Sequence, residues 1–319
     1  MPRPPQHIDY GQGIHVLDSG YLRPGLAAVY LIVHDGRVAV VDTGTHQSVP
    51  VVLDALTALG LGPEAVDYIL LTHVHLDHAG AAGALLARCP NARLVVHPRG
   101  APHMVDPARL VAGATAVYGA EKFRALYGEI LPVPAERVIE AGEGFVLDFS
   151  GRSLVFLDTP GHARHHLCIH DAASGGVFTG DAFGLSYRVL DVDGRPFIFP
   201  TTTPVQFEPE AMHASIDRIL ALGPSVAYLT HFGRVSDLLR LAGDLHALLD
   251  AFVHLAEGAP VDGALRHAWL VAELEALLMA KVRQHGCRLA DADLRQLLAH
   301  DVELNAQGLG IWLDRGGRG

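Results

Sequence analysis

The stretch "LLTHVHLDHAG", residues 70–80, places three histidines and an aspartate within six positions, directly behind an aliphatic run. The apolar residues 68–71 are typical of a strand. In extended backbone His73, His75 and Asp77 alternate and project to one side, whereas His78 points elsewhere. Imidazole and carboxylate groups suit zinc, iron or manganese. The stretch therefore predicts a loop that supplies ligands to two metal ions.

Three later stretches end predicted strands with the same kinds of side chain. "LDTPGH" ends in His162, "FTGD" in Asp181 and "YLTH" in His231. Small residues beside each one allow the backbone to approach closely. With the first loop they make five histidines and two aspartates, which suffice for two metals that share a carboxylate and a water. A helix predicted to begin near Ala79 would add backbone donors for an anionic oxygen.

The rest of the chain has a mixed α/β pattern up to residue 233. Short aliphatic runs bounded by Gly, Pro and Asp predict strands, and helical patterns cover 47–59, 79–88 and 208–222. Residues 103–128 form a further helical stretch, predicted to be an insertion near a site. Beyond residue 233 every long segment has apolar residues at helical spacing. We therefore predict a catalytic domain over 1–233 and a helical extension over 234–319.

Composition narrows the class of partner. The chain has 319 residues, a formal charge of -11 and no block of like charges, which disfavours nucleic acid. It has neither an apolar signal region nor a span long enough for a membrane, so we expect a soluble, cytoplasmic protein. The three scattered cysteines form no CxxC pair and are predicted to be reduced and buried. Twenty histidines are the unusual feature.

The HxHxDH motif at 73–78, followed in order by His162, Asp181 and His231, resembles the metallo-β-lactamase superfamily of metal-dependent hydrolases. The matching motifs run from Asp42, in "VDTG", to His231. The resemblance implies a four-layer αββα sandwich with the site at one edge, and the all-helical extension is similar to that of glyoxalase II.

The resemblance also assigns roles to these residues. His73, His75 and His162 would bind one divalent ion, and Asp181 would bridge both ions. Zinc is the expected metal, with iron and manganese as alternatives. The second ion would be held by Asp77, His78 and His231. Asp42 would orient a ligand loop by hydrogen bonds.

A metal-bridging hydroxide would then attack a small ester, thioester or lactone, with Asp77 and His231 as the catalytic ligands. Phosphodiester cleavage by a phosphodiesterase or nuclease of the same fold is the alternative within this superfamily. A ligand-binding regulatory protein with vestigial turnover is the alternative from another class. The C-terminal helices also allow a homodimer interface.

The segment 183–207 is rich in Gly, Pro, Thr and aromatic residues and lacks a helical period, which is typical of a substrate-facing loop. Phe183, Tyr187 and Arg188 are candidate substrate contacts, because Tyr can donate to an oxyanion and Arg can pair with a carboxylate or phosphate. Ordinary loop packing is the competing interpretation. His166 is a further candidate for the pocket.

Overall fold

The computed structural model describes residues 7–202, 205–261 and 263–317. Its contacts divide the chain into two compact units. The first comprises Met1–Asp158, His165–Gly180 and Leu222–Ser236, and the second comprises Thr159–Arg164, Asp181–Ala221 and Asp237–Gly319. The domain boundary between residues 233 and 234 stays a prediction.

The first unit contains two sheets. The seven strands of the first sheet lie in sequence order: His7–Asp9 (β1), Ile14–Asp18 (β2), Ala28–His34 (β3), Arg37–Val41 (β4), Val66–Leu70 (β5), Arg93–Val96 (β6) and Val138–Glu140 (β7). Neighbours are antiparallel from β1 to β4 and parallel from β4 to β7. The ends of β4 and β5 therefore meet at one edge.

The second sheet has six strands: Val146–Phe149 (β8), Arg152–Asp158 (β9), Leu167–Asp171 (β10), Gly176–Gly180 (β11), Val226–Leu229 (β12) and Gly233–Val235 (β13). Their order is β13-β12-β11-β10-β9-β8. Only β11 and β12 run parallel, so the ends of these two strands also lie at a common edge.

The helices of the first unit are Ser48–Ala58 (α1), Leu76–Ala79 (α2), Ala82–Arg88 (α3), Ala101–Val105 (α4), Ala108–Tyr118 (α5) and Ala120–Tyr127 (α6). Successive side chains of β3 point to opposite faces of the first sheet, so the strand contributes to two layers of the fold. Val29 and Leu31 join the core that contains residues of α1 and α3. Tyr30, on the other face, contacts the rings of Phe178 and Tyr228 in the second sheet. Two sheets thus face each other, and helices cover the outer face of the first.

The helices of the second unit are Pro209–Ala221 (α7), Leu238–Glu257 (α8), Gly263–His285 (α9) and Asp291–Asp314 (α10). Two buried polar residues of α10 hold the segment that follows Asp181. The Tyr187 hydroxyl donates to the Asp301 carboxylate at 2.9 Å, and the Thr202 amide donates to Asn305 at 2.6 Å. Among the described residues no helix is both long and apolar enough to cross a membrane.

The α/β class and the helical C-terminal extension predicted from the sequence are confirmed. The helical stretch 103–128 consists of three helices, because Pro107 and Gly119, with φ 78°, interrupt it. All three cysteines are buried and none of them forms a disulfide, and burial raises the pKa of Cys89 to about 11. The sequence analysis missed four strands, β1, β2, β7 and β13.

A buried ion pair connects β9 with β10. The Arg152 guanidinium is bidentate to Asp171, and it also donates to the Gln12 carbonyl at 2.8 Å. Both side chains are almost fully buried. Because removal of the carboxylate would leave an uncompensated charge, Asp171→Ala should lower the free energy of unfolding by about 3–5 kcal/mol.

Urea unfolding followed by circular dichroism measures this change. The exposed pair between Arg295 and Glu275 supplies the control, since Glu275→Ala should cost about 1 kcal/mol or less. Equal costs for the two variants would contradict the argument from burial.

Candidate metal centre

A tight turn after β4 forms hydrogen bonds with the backbone of the histidine motif. Asp42 has φ 53° and Gly44 has φ 64°, both in the left-handed region. A Cβ atom on Gly44 would lie 3.0 Å from Ser19, so space as well as φ requires glycine there. The amides of Thr43 and Gly44 donate to the His78 carbonyl at 2.6 and 3.1 Å. The turn therefore fixes the position of α2.

The Asp42 carboxylate is fully buried and joins three strand ends. It accepts hydrogen bonds from the Thr72 amide at 2.9 Å, from the hydroxyls of Thr72 and Thr230, and from His78 Nδ1 at 2.8 Å. Thr72 follows β5, Thr230 follows β12, and His78 lies in α2. The carboxylate thus holds them at one place through hydrogen bonds.

Asp77, His78 and His231 direct three ligand atoms towards one another. His78 Nδ1 donates to Asp42, and His231 Nδ1 donates to the Leu26 carbonyl at 2.9 Å. A neutral imidazole has one N–H, so the Nε2 atom of each ring carries a lone pair. These two Nε2 atoms lie 3.3 Å apart, and Asp77 Oδ2 lies 3.6 Å from His78 Nε2 and 3.3 Å from His231 Nε2.

One local expectation was wrong. Asp77 does not continue an extended backbone with His73 and His75, because helix α2 begins at Leu76 and ends at Ala79. The helix expected to begin near Ala79 is instead this single turn, followed by α3 from Ala82. The turn rotates Asp77 and His78 so that their side chains approach each other within 3.6 Å.

His73 and His75 form a second pair of ligand atoms. Thr72 donates its hydroxyl hydrogen to Asp42, so His73 Nδ1, 3.2 Å from Thr72 Oγ1, is the donor in that contact. His73 Nε2 is left unprotonated and lies 3.0 Å from His75 Nδ1. His73 is fully buried.

His166 lies beside this pair, with its ring centroid 5.0 Å from that of His73. Gly180, at the end of β11, has φ 48°, and a Cβ atom there would lie 2.6 Å from His166 Nε2. Glycine at this position therefore makes room for the imidazole.

The two remaining candidate ligands belong to the second unit. His162 Nε2 lies 3.3 Å from Asp181 Oδ2, and His162 Nδ1 lies 3.4 Å from the Thr201 carbonyl. Both side chains are buried. His162 Nδ1 thus faces a carbonyl and Nε2 faces a carboxylate, and both of these groups only accept hydrogen bonds.

The candidate substrate residues have structural partners of their own. Phe183 and Tyr187 are buried, and the Tyr187 hydroxyl donates to Asp301. The Arg188 guanidinium lies 3.4 Å from Asp191 and donates to the Ser186 carbonyl at 2.8 Å. Substrate contact by these residues and by His166 stays a prediction.

The sequence analysis missed a group of tyrosines in the first unit. The hydroxyls of Tyr21 and Tyr127 lie 2.9 Å apart, and the ring of Tyr118 is tilted against that of Tyr127 with centroids 5.8 Å apart. Burial raises the pKa of Tyr21 and Tyr127, and the negative charge of Asp77 raises both further. These phenols are therefore neutral hydrogen-bond donors. The available signal was the position of two of them in the 103–128 stretch.

The ligand atoms of Asp77, His78 and His231 suit a divalent cation. Lone pairs on Asp77, His78 and His231 that face one another at 3.3–3.6 Å repel unless a positive charge lies among them. Ligand atoms around a tetrahedral zinc ion, with bonds of about 2.0–2.1 Å, are separated by about 3.3 Å. The spacing and the chemistry of this group thus fit a metal ion.

Comparisons with known proteins agree with this chemistry. The chain is 30% identical over 212 residues to a hydroxyacylglutathione hydrolase of Aeromonas hydrophila, covering 66% of this chain and 63% of the relative. It is 28% identical over 193 residues to an acyl-coenzyme A thioesterase of Gallus gallus, covering 55% of this chain and 64% of the relative. The chain thus spans less than two thirds of the length of each relative.

The fold is similar to that in the crystal structure of an archaeal metallo-beta-lactamase superfamily protein from Sulfolobus tokodaii. The TM-score is 0.64 at 24% identity, and the match covers 93% of this chain and 98% of that one. This likeness confirms the expected sandwich fold. The sequence of the chain also matches the family model of the metallo-beta-lactamase superfamily over residues 22–231, more than half of the chain. The chain therefore belongs to the metallo-beta-lactamase superfamily.

Proposed function

We propose that the protein is a binuclear hydrolase of small esters, thioesters or lactones, with zinc as its metal. The observation that carries this proposal is the convergence of unprotonated ligand atoms from Asp77, His78 and His231. Such an arrangement costs free energy without a cation, and its two histidines are buried with their N–H groups held on Nδ1.

The proposed ligand sets follow the motif order of the superfamily. His73, His75 and His162 would hold one ion, Asp77, His78 and His231 would hold the other, and Asp181 would contribute to both. Support comes from the 3.0 Å separation of ligand atoms on His73 and His75 and the 3.3 Å separation on His162 and Asp181. Imidazole and carboxylate together suit zinc, although iron and manganese accept the same donors.

When bound, two divalent cations supply a nucleophile from water at neutral pH and a Lewis acid for the carbonyl oxygen. The chain itself holds the ligands in the required protonation states. Asp42 and the Leu26 carbonyl keep the N–H of His78 and His231 on Nδ1. Asp77, whose side chain is 22% exposed, is the ligand of this group that solvent and substrate reach, so we assign proton transfer to it.

Two observations favour an acyl substrate over a phosphodiester. Relatives that match this chain bear the names of a hydroxyacylglutathione hydrolase and an acyl-coenzyme A thioesterase. The formal charge of -11 opposes the approach of a polyanion such as nucleic acid. A cytoplasmic location and a homodimer stay predictions from the sequence.

Metal analysis of the purified protein, dialysed against metal-free buffer, tests the proposal beside the Asp181→Ala variant. Both samples are assayed on a p-nitrophenyl ester, a lactone, a thioester and bis(p-nitrophenyl) phosphate. We expect near two metals per chain in the parent protein and fewer in the variant. Activity of the variant on an acyl substrate should fall by about 100-fold or more, because the cations lower the activation free energy by several kcal/mol.

The control is His254→Gln, which changes an exposed histidine of α8 and should retain metal and activity. Less than one metal in the parent protein, even after supplementation with zinc, manganese and iron, would refute the ligand assignment. Metal without turnover of any substrate would favour a ligand-binding protein. Cleavage of the phosphate diester alone would show that the acyl substrate class is wrong.

The role of Asp42 generates a separate prediction. Asp42→Asn keeps the size of the side chain but turns one acceptor towards donors as an NH₂ group. Its hold on His78 then weakens, and we expect a 10- to 100-fold loss of metal affinity, as for other groups that orient metal-bound histidines. Competition with a chromogenic chelator measures the affinity, and circular dichroism verifies folding.

The matched control is Asp54→Asn, the same chemical change on the exposed side of α1. It should leave metal affinity as in the parent protein. A folded Asp42→Asn variant with unchanged affinity would contradict a positioning role for this carboxylate.

A further inference from the structure

Helices α7 and α8 carry the same four-residue spacing of histidine and aspartate. His213 and Asp217 lie on α7, and His246 and Asp250 lie on α8. Residues four apart share one face of a helix, so each helix presents its histidine and its aspartate together. The four side chains belong to one unit of the fold, and none of them is a proposed ligand of the centre described above.

The two pairs cross between the helices. His213 Nε2 lies 3.1 Å from the carboxylate of Asp250, and His246 Nε2 lies 3.1 Å from the carboxylate of Asp217. The two imidazole rings are nearly parallel and meet edge to edge, with an interplanar angle of 8° and centroids 4.9 Å apart. Each histidine is therefore oriented by the aspartate of the opposite helix.

This arrangement leaves two nitrogens facing each other. A carboxylate only accepts hydrogen bonds, so each Nε2 beside one carries the hydrogen. In a neutral imidazole Nδ1 then has a lone pair, and the Nδ1 atoms of His213 and His246 lie 2.6 Å apart. Two lone pairs at this distance repel, so the pair of nitrogens must share either a proton or a metal ion.

We propose that His213 and His246 bind a divalent transition-metal ion through their Nδ1 atoms, with Zn²⁺ as the reference ion. An aspartate that accepts from the second nitrogen of a metal-bound histidine is the usual support of such a ligand. The two carboxylates also balance the two positive charges of the ion. Both features are present on each side of the site.

The side chains have room to accept the ion. For tetrahedral zinc the two nitrogens must separate from 2.6 Å to about 3.3 Å. Each histidine side chain is 28% exposed, so a small rotation towards solvent suffices. The remaining coordination positions are open to water or a small anion. Because its ligands come from two helices, the ion would clamp α7 against α8.

Equilibrium dialysis against increasing Zn²⁺, with metal counted by mass spectrometry, tests this site in the full chain. The starting material is protein loaded with its tightly held metals. We expect the parent protein to take up one additional Zn²⁺ per chain, whereas His213→Gln and His246→Gln do not. Asp217→Asn should bind the additional ion 10- to 100-fold more weakly. Cu²⁺ should bind more tightly than Zn²⁺, with two nitrogen ligands in its electron paramagnetic resonance spectrum.

The control is His254→Gln, a histidine on α8 two turns beyond His246, which should bind the additional ion like the parent protein. Addition of Zn²⁺ should raise the melting temperature of the parent protein and of His254→Gln, but not that of His246→Gln. Equal uptake by His246→Gln and the parent protein would overturn the proposal. Lack of additional uptake by the parent protein would also overturn it, since a shared proton would then occupy the pair.

This test is separate from that of the proposed hydrolase activity. The tightly held metals and the hydrolytic activity of His246→Gln should equal those of the parent protein. Loss of both in Asp181→Ala, with the additional site intact, would show the two sites to be independent.

Discussion

The buried carboxylate of Asp42 is the interaction on which the rest of the centre depends. A fully buried charge is costly unless hydrogen bonds compensate it, and this one receives donors from Thr72, Thr230 and His78. These donors come from the ends of β5 and β12 and from α2. The two sheets can therefore satisfy the charge only when their strand ends meet at one edge. Folding of the sandwich therefore brings His78 close to His231, which follows Thr230.

A second constraint is the protonation state of each histidine. His78, His231 and His162 each have an acceptor at Nδ1, from a carboxylate or a backbone carbonyl. For His78 and His231, whose acceptors lie at 2.8 and 2.9 Å, this contact places the hydrogen on Nδ1 and leaves Nε2 as a ligand atom. A histidine count therefore describes a metal centre poorly. What makes these side chains ligands is a neighbour that removes the other choice of tautomer.

The sequence predicted those parts of the fold that have a local pattern. Aliphatic runs such as β3 and β4 and the amphipathic helices α8 and α10 are long enough for their period to be visible. The strands β7 and β13 have three residues each, too few for a period, so pairing with a neighbour alone defines them. The helical turn at Asp77 was missed for a similar reason: alternation of HxHxD suggested a strand, and the Asp42 turn overrides it by binding the His78 carbonyl.

The candidate ligands were predictable from motif order, but their support was not. Asn305 lies far along the chain from Thr202, yet it accepts the Thr202 amide at 2.6 Å, and the adjacent Thr201 carbonyl lies 3.4 Å from His162 Nδ1. A helical residue with no sequence signal thus supports a ligand through one peptide unit. The crossed pairs of α7 and α8 illustrate the same limit, since two identical spacings acquire meaning only when the helices pack. In both places a hydrogen bond to one ring nitrogen determines what the other nitrogen can bind, and only the folded chain supplies that bond.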